Sequence, residues 1–484
     1  MTILFDWRWQ DSGRAMVFVR KLCFRHRLVI KTFSFRRCRV SVLFLLALSL
    51  TKPSCMSKCI AFLLFTCTTT VALHAQVKTD GFLKNLLESS SDSIMQKVLR
   101  DPDTYRCQII YTRINRDARN RPSFQNYYFH VDPELYFNPA STVKMPLAFL
   151  SLEKLHRLHI RGVNKYTAML IDSGYAGQTA EIADTTAPGG KPSVAQYIKR
   201  AFLVSDNNAY NRMYEFVGQQ TINRRLHQKG YADARIVRQF LGFTEEENRH
   251  TNPVRFVDEK GRLLFAQPPA YNTDSFDFSH VIKLGHAHWD AHDSLVNTPM
   301  DFTRQNNLSL EDLQQMLQSV LFPASVPPVQ RFDLSKDDYD FLYRYLSQYP
   351  SETNYPKYDS AVYFDSYVKF FFKGGQIPPY VRVFNKVGWS YGFLTDVSYV
   401  VDFRHRVEYM LSCTLYVNSD GVLNDNAYDY DSIGYPFFRA PGQVIYQHEL
   451  SRPRRHVPDL SRFRIPYEHR DLHDQRPLVR EIEN

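Results

Sequence analysis

The sequence predicts a mixed α/β fold of the α+β kind, with one antiparallel sheet built from both chain ends and packed against a helical lobe. Two β-rich runs stand early, at residues 105–114 and 124–131, and three stand late, at 381–385, 392–403 and 407–417. Helical spacing dominates the stretch between them, which also carries a long interruption before the late strands. Strands at both ends with helices between them bury their apolar faces most simply as one sheet under a helical layer.

The elements follow in order. Residues 81–99 place Phe82, Leu83, Leu86, Leu87, Ile94 and Val98 at helical spacing, and Asp101-Pro102 ends the run. The two early β-rich runs are joined by the polar loop 115–123, which predicts a hairpin. After Pro139 a helix is expected over 141–158. Residues 193–203 read as helix, Ser205-Asp206-Asn207 as a turn, and 209–217 as helix again. Ser309 and Asp312 have the spacing of a capping box at the start of a further helix. The Tyr-rich stretch 339–367 predicts an extra helical layer whose rings are core. A final helix near 442–450 precedes a charged tail, 451–484, read as a solvated extension.

Length and charge bound the function. With 484 residues and 44% hydrophobic content the chain can bury a large core, and length alone allows two or three domains. Residues 1–75 hold 12 of the 60 Lys and Arg but only Asp6 and Asp11 of the 50 acids, leaving 48 of each sign in the body. The formal charge of +10 therefore belongs to the leader, and the body gives no reason to expect a nucleic-acid partner or an anionic membrane surface. Met56-Ser57-Lys58, then an apolar run from Cys59 to Phe65, then Val71-Ala72-Leu73-His74-Ala75, has the layout of a signal peptide cut near Ala75-Gln76. Residues 1–55 are then an upstream extension outside the fold, 56–75 the signal, and the protein exported, periplasmic or secreted, with no stable membrane insertion after cleavage. A spanning anchor over 59–77 is disfavoured by its polar middle, 66–70, and a lipoprotein site at Cys67 by Thr66 before it. Five of the 7 Cys lie in the leader; Cys107 and Cys413 either pair in an oxidising compartment or remain buried thiols, the plainer reading.

Three short motifs carry chemistry. Ser141-Thr142-Val143-Lys144 opens the 141–158 helix, Ser205-Asp206-Asn207 sits between helices, and Lys386-Val387-Gly388 precedes a long apolar strand. Residues three apart on a helix share a face, so Lys144 stands one turn from Ser141. A buried lysine loses its proton readily and can then act as a base toward a hydroxyl. Each motif taken alone is explained as well by capping, turn and edge-strand residues.

Together, and in this order, the motifs resemble the S-x-x-K, S-D-N and K-T-G set of the penicillin-recognising serine hydrolases, the class A β-lactamases and penicillin-binding proteins. The resemblance implies a β-lactamase/transpeptidase-like fold over 76–450, with a large insertion at about 253–380. It implies Ser141 as nucleophile, Lys144 as general base, Ser205 as proton relay to the leaving group, and Lys386 as the positive charge facing Ser205 and a substrate carboxylate. Asn207 would hold the substrate amide, and Gly388 would border the substrate, with the Trp389 N–H completing an oxyanion hole begun at Ser141. The expected partner is a small-molecule or peptide acyl substrate, with no cofactor and no metal. The alternatives are a D-Ala-D-Ala-type peptidase or esterase on the same fold, or a penicillin-binding or scaffold protein with little turnover.

Two departures shape the expected turnover. Val387 replaces the family's Thr or Ser, removing a hydroxyl that would meet a substrate carboxylate. Class A enzymes also carry a Glu four residues before an Asn to activate the deacylating water. Here Asn248 precedes Asn252 by four, and Glu247, the candidate deacylation base, is one residue out of register. Slow deacylation is therefore expected. Finally, His286-Ala287-His288-Trp289-Asp290-Ala291-His292 resembles a metallo-hydrolase ligand run with one residue too many before His292, and reads instead as a histidine-rich surface loop.

Overall fold

The computed structural model describes residues 77–482, so the leader, its signal peptide and its five cysteines lie outside the described residues. The main sheet has five antiparallel strands: β1 (Gln108–Arg116), β2 (Pro122–Phe129), β3 (Val381–Ser390), β4 (Phe393–Asp402) and β5 (Val407–Tyr416). Their order is β3-β4-β5-β1-β2, so the two chain ends meet where β1 pairs β5, with Ile109 opposite Cys413. The expected hairpin and the three late strands are all present. Alternation sorts their side chains: Ile109 and Tyr111 join one core and Ile110 and Ile114 the other.

One face of the sheet is covered by three helices, α1 (Gly81–Glu88), α2 (Ser93–Arg100) and α9 (Tyr435–Ser451), through Leu83, Leu87, Met95, Val98, Phe437 and Ile445. The single helix read over 81–99 is thus two, because the polar run Ser89-Ser90-Ser91-Asp92 breaks it and Asp92 caps the second by accepting from Met95 N–H. The other face carries the lobe: α3 (Lys144–Leu158), α4 (Val194–Leu203), α5 (Asn207–Val217), α6 (Gln219–Gln228), α7 (Leu310–Leu321) and α8 (Lys336–Ser347). Buried residues occupy nearly every position of α3 from Lys144 to Leu152, which makes it the lobe's central helix. Ser309 accepts from the Asp312 N–H at the start of α7, and a reciprocal capping box sits instead at Ser335 and Asp338 of α8.

Two further expectations need correction. The Tyr-rich layer is helical only to Ser347; Pro350 and Pro356 follow, and residues 350–380 form turns that wrap the edge of β3. The tail, over its described residues 451–482, is no solvated extension. Leu460 and Phe463 enter the main core, Glu468 takes the Lys199 ammonium and the Thr353 and Tyr345 hydroxyls, and Val479 bridges Tyr358. Isolated aromatic and aliphatic residues among charges give no periodic signal, which is why the sequence hides this packing. No described helix is long and apolar enough to cross a membrane.

Candidate active site

The first motif begins in a tight turn. Asn138 Oδ1 accepts the Ala140 N–H at 2.8 Å, Ala140 has φ +43°, and Thr142 Oγ1 donates to the Pro139 carbonyl at 2.6 Å. Residues 140–143 form a 3₁₀ turn that feeds into α3, so Ser141 stands just ahead of the helix with Lys144 at its first position. The second motif is equally constrained. Ser205 has φ +65°, a left-handed conformation that costs a residue with a side chain of order 1–3 kcal/mol and clusters at functional sites. Asp206 holds it there: one carboxylate oxygen caps α5 by accepting the Ala209 N–H at 2.8 Å, and the other accepts Arg200 Nε at 2.8 Å.

These turns and β3 converge. Lys144 Nζ lies 2.7 Å from Ser141 Oγ, 2.6 Å from Asn207 Oδ1 and 3.3 Å from Ser205 Oγ, and donates to the Ser205 carbonyl. From the opposite side Lys386 Nζ donates to Ser205 Oγ at 2.9 Å and to the Val387 carbonyl at 2.7 Å. Gly388 makes this approach possible, since a Cβ there would stand 2.6 Å from the Pro139 oxygen and 3.0 Å from the Ser141 nitrogen. The structure therefore brings Ser141, Lys144, Ser205, Asn207, Lys386 and Gly388 together, with Trp389 next along the strand.

Electrostatics follows from burial. Lys144 is fully buried, and desolvation, partly opposed by Asp206, brings its pKa down from 10.5 to about 7. Lys386 is pushed well below the ordinary lysine range, first by burial and then by the like charge of Lys144. A neutral amine is thus accessible near neutral pH, within reach of a hydroxyl and beside a second lysine amine.

Glu247 is not placed for the role expected of it. Its carboxylate accepts the Thr244 N–H at 2.7 Å and the Thr244 hydroxyl at 2.8 Å, while Glu245 pairs with Arg304 and Glu246 faces His250. Among the described residues no carboxylate makes a hydrogen bond or ion pair with Lys144. The loop residue that faces it is Phe240, whose ring centre lies 5.0 Å from Lys144 Nζ. Asn211 Oδ1 accepts the Phe240 N–H at 2.8 Å, and Tyr210 stacks on the ring at 4.4 Å. Sequence reasoning missed Phe240 because a single aromatic in an irregular loop carries no signal of its own; only the partner across the cleft gives it meaning. Val387 is fully buried within the core that faces α9.

The histidine run forms a small hairpin, with His288 Nδ1 at 2.8 Å from the Thr298 carbonyl. Among the described residues no group of three or more His, Cys, Asp or Glu side chains is arranged to hold a metal ion. Cys107 and Cys413 are free buried thiols, and burial followed by the neighbouring Cys107 raises the Cys413 pKa well above its ordinary value.

With this geometry in hand, comparison with known proteins gives a class. Residues 102–268 match the family model described as Beta-lactamase enzyme family. That stretch holds the first two motifs, and over it the chain is similar to the β-lactamase enzyme family. Solved structures similar to it include a β-lactamase from Xanthomonas campestris pv. campestris str. ATCC 33913, with 14% identity, 76% of this chain and 100% of that chain covered, and a TM-score of 0.40. A β-lactamase from Sphaerobacter thermophilus DSM 20745 has 13% identity, covering 75% and 98% of the two chains, with a TM-score of 0.41. The acyl-enzyme complex of a PBP-A mutant with penicillin G has 14% identity, covering 75% and 96%, with a TM-score of 0.40. No curated protein matches the chain.

Proposed function

We propose that the protein is an exported serine hydrolase that forms an acyl-enzyme on Ser141 with β-lactams or related amides and esters. The observation that carries this reading is the convergence of Lys144 on Ser141 Oγ and of Lys386 on Ser205 Oγ, at 2.7 and 2.9 Å. Ser141 Oγ attacks the acyl carbon while its proton passes to neutral Lys144. The C–N or C–O bond then breaks, and the leaving nitrogen or oxygen receives a proton by way of Ser205. Lys386 supplies the positive charge that this relay and an anionic substrate need. Asn207 positions the substrate amide. The N–H groups of Ser141 and Trp389 receive the oxyanion.

Phe240 favours a second statement about turnover: the acyl-enzyme persists. A phenyl ring beside Lys144 cannot take a proton from water, and its bulk keeps water from that side of the ester. This supports a penicillin-binding protein or peptidase with slow hydrolysis over an efficient β-lactamase. The test is labelling with a fluorescent penicillin: one stable label per chain, absent in Ser141→Ala, supports the reading, and labelling that survives that substitution overturns it.

A further inference from the structure

β3 is an edge strand, and an edge leaves backbone groups unpaired unless something covers them. The cover is the segment 367–372. From it Lys369, fully buried, donates to the Leu346 and Val383 carbonyls at 3.0 Å each and to Asn385 Oδ1 at 2.5 Å. Asn385 Nδ2 donates in turn to Asp396 Oδ1 at 2.8 Å and to the Val368 carbonyl at 2.9 Å. Asp396 also accepts the Ser398 hydroxyl at 2.6 Å and, on its second oxygen, the Phe370 N–H at 2.9 Å.

Lys369, Asn385, Asp396 and Ser398 are each at most 2% exposed, and burying an unbalanced charge among them would cost several kcal/mol. Here each side chain is hydrogen-bonded, so the cluster acts as one rigid unit. It also abuts the candidate site. Asn385 precedes Lys386, Asp396 stands opposite Val387 in register, and Tyr367 and Phe370 set their rings edge-on to Trp389 at 6.0 and 5.8 Å. The segment is pressed home by α9, where a Cβ on Gly442 would fall 3.0 Å from Phe371.

We propose that Asp396, with Asn385 and Lys369, is a positioning group for the site: it docks the 367–372 segment on β3 and so holds the Lys386 ammonium and the Trp389 strand edge in place. The activity part of this proposal rests on the acyl-enzyme reading; the docking part does not. The charged groups that face Lys386 are Lys144 from α3, Lys369 from the covering segment and Asp396 from β4. Of these only Asp396 favours its ammonium form, so removing that charge makes Lys386 lose its proton at lower pH.

The experiment uses the protein beginning at Gln76 with Trp289→Phe, which leaves Trp389 as its single tryptophan. In this background Asp396→Asn should red-shift Trp389 emission and raise its quenching by acrylamide. It should also slow acylation of Ser141 by about 10- to 100-fold, the scale of a small misplacement at a site, and move the alkaline limb of the pH profile downward. Ser398→Ala, which removes one hydrogen bond and keeps the charge, should move the emission in the same direction by less, and it carries the test if Asp396→Asn does not fold. Unchanged emission, or an unchanged pH profile in a folded Asp396→Asn protein, overturns the proposal. If the unsubstituted protein is not acylated at Ser141, the reading of its function fails and the emission result alone decides the docking.

Discussion

In the proposed mechanism Ser141, Lys144 and Phe240 divide the chemistry between them, and each division can be measured. Lys144→Ala should slow acylation by about 10² to 10⁴, the usual size of a general-base contribution, with a folded protein and unchanged far-UV circular dichroism. An equal rate would remove Lys144 from the mechanism. Because burial lowers the Lys144 pKa to about 7, the acylation rate should climb as pH rises through about 7 and fall again at higher pH where Lys386 loses its proton. Below that range the ammonium form has no lone pair to accept the Ser141 proton. A rate already flat from pH 5 upward would show that another group takes the proton. Phe240→Glu would put a carboxylate beside Lys144, in reach of water at the ester, and should shorten the acyl-enzyme lifetime by about 10² or more without speeding acylation. A lifetime that stays as before would mean that water is excluded by something other than the ring.

At the scale of elements, the three motifs meet because a strand and two turns are held to fractions of an ångström. Gly388→Ala should push β3 from the Ser141 turn, with a stability loss of about 1–3 kcal/mol and a disproportionate loss of acylation, read by thermal unfolding and intact mass. Acylation unchanged in that variant would mean that the close approach of β3 is dispensable. The strands, the hairpin and the helices that carry the first two motifs were legible because their apolar residues repeat with period 2 or 3.6 and their ends carry Pro, Asp or Ser. The break between α1 and α2, the turns over 350–380 and the packed tail were not, since they depend on single residues meeting distant partners. The same holds at the site. Ser141, Lys144, Ser205 and Lys386 could be picked out by spacing, whereas Phe240, Lys369 and Asp396 gain their meaning only from what faces them across the fold. Phe463 illustrates the tail: it packs on Phe322, Tyr343, Phe384 and Tyr399, so Phe463→Ala should cost about 3–5 kcal/mol of stability. An unchanged melting temperature would return the tail to the status of a solvated extension.

For the whole molecule, the sheet that joins the chain ends and the lobe between them bring a serine, two lysines and a second serine into one cluster, with the Phe240 ring set beside Lys144. The export reading places this body outside the cytoplasm. N-terminal sequencing of protein from its native host should begin near Gln76, and a cytoplasmic chain beginning at Met1 would contradict it. The central claim, a long-lived acyl-enzyme on Ser141, is tested most directly by an intact-mass time course after mixing the protein with excess penicillin G and then removing the free drug. The account predicts a mass increase of one penicillin per chain, mapped to the Ser141 peptide, that decays slowly. No adduct, an adduct on another residue, or rapid return to the unmodified mass with hydrolysed drug in solution would contradict it.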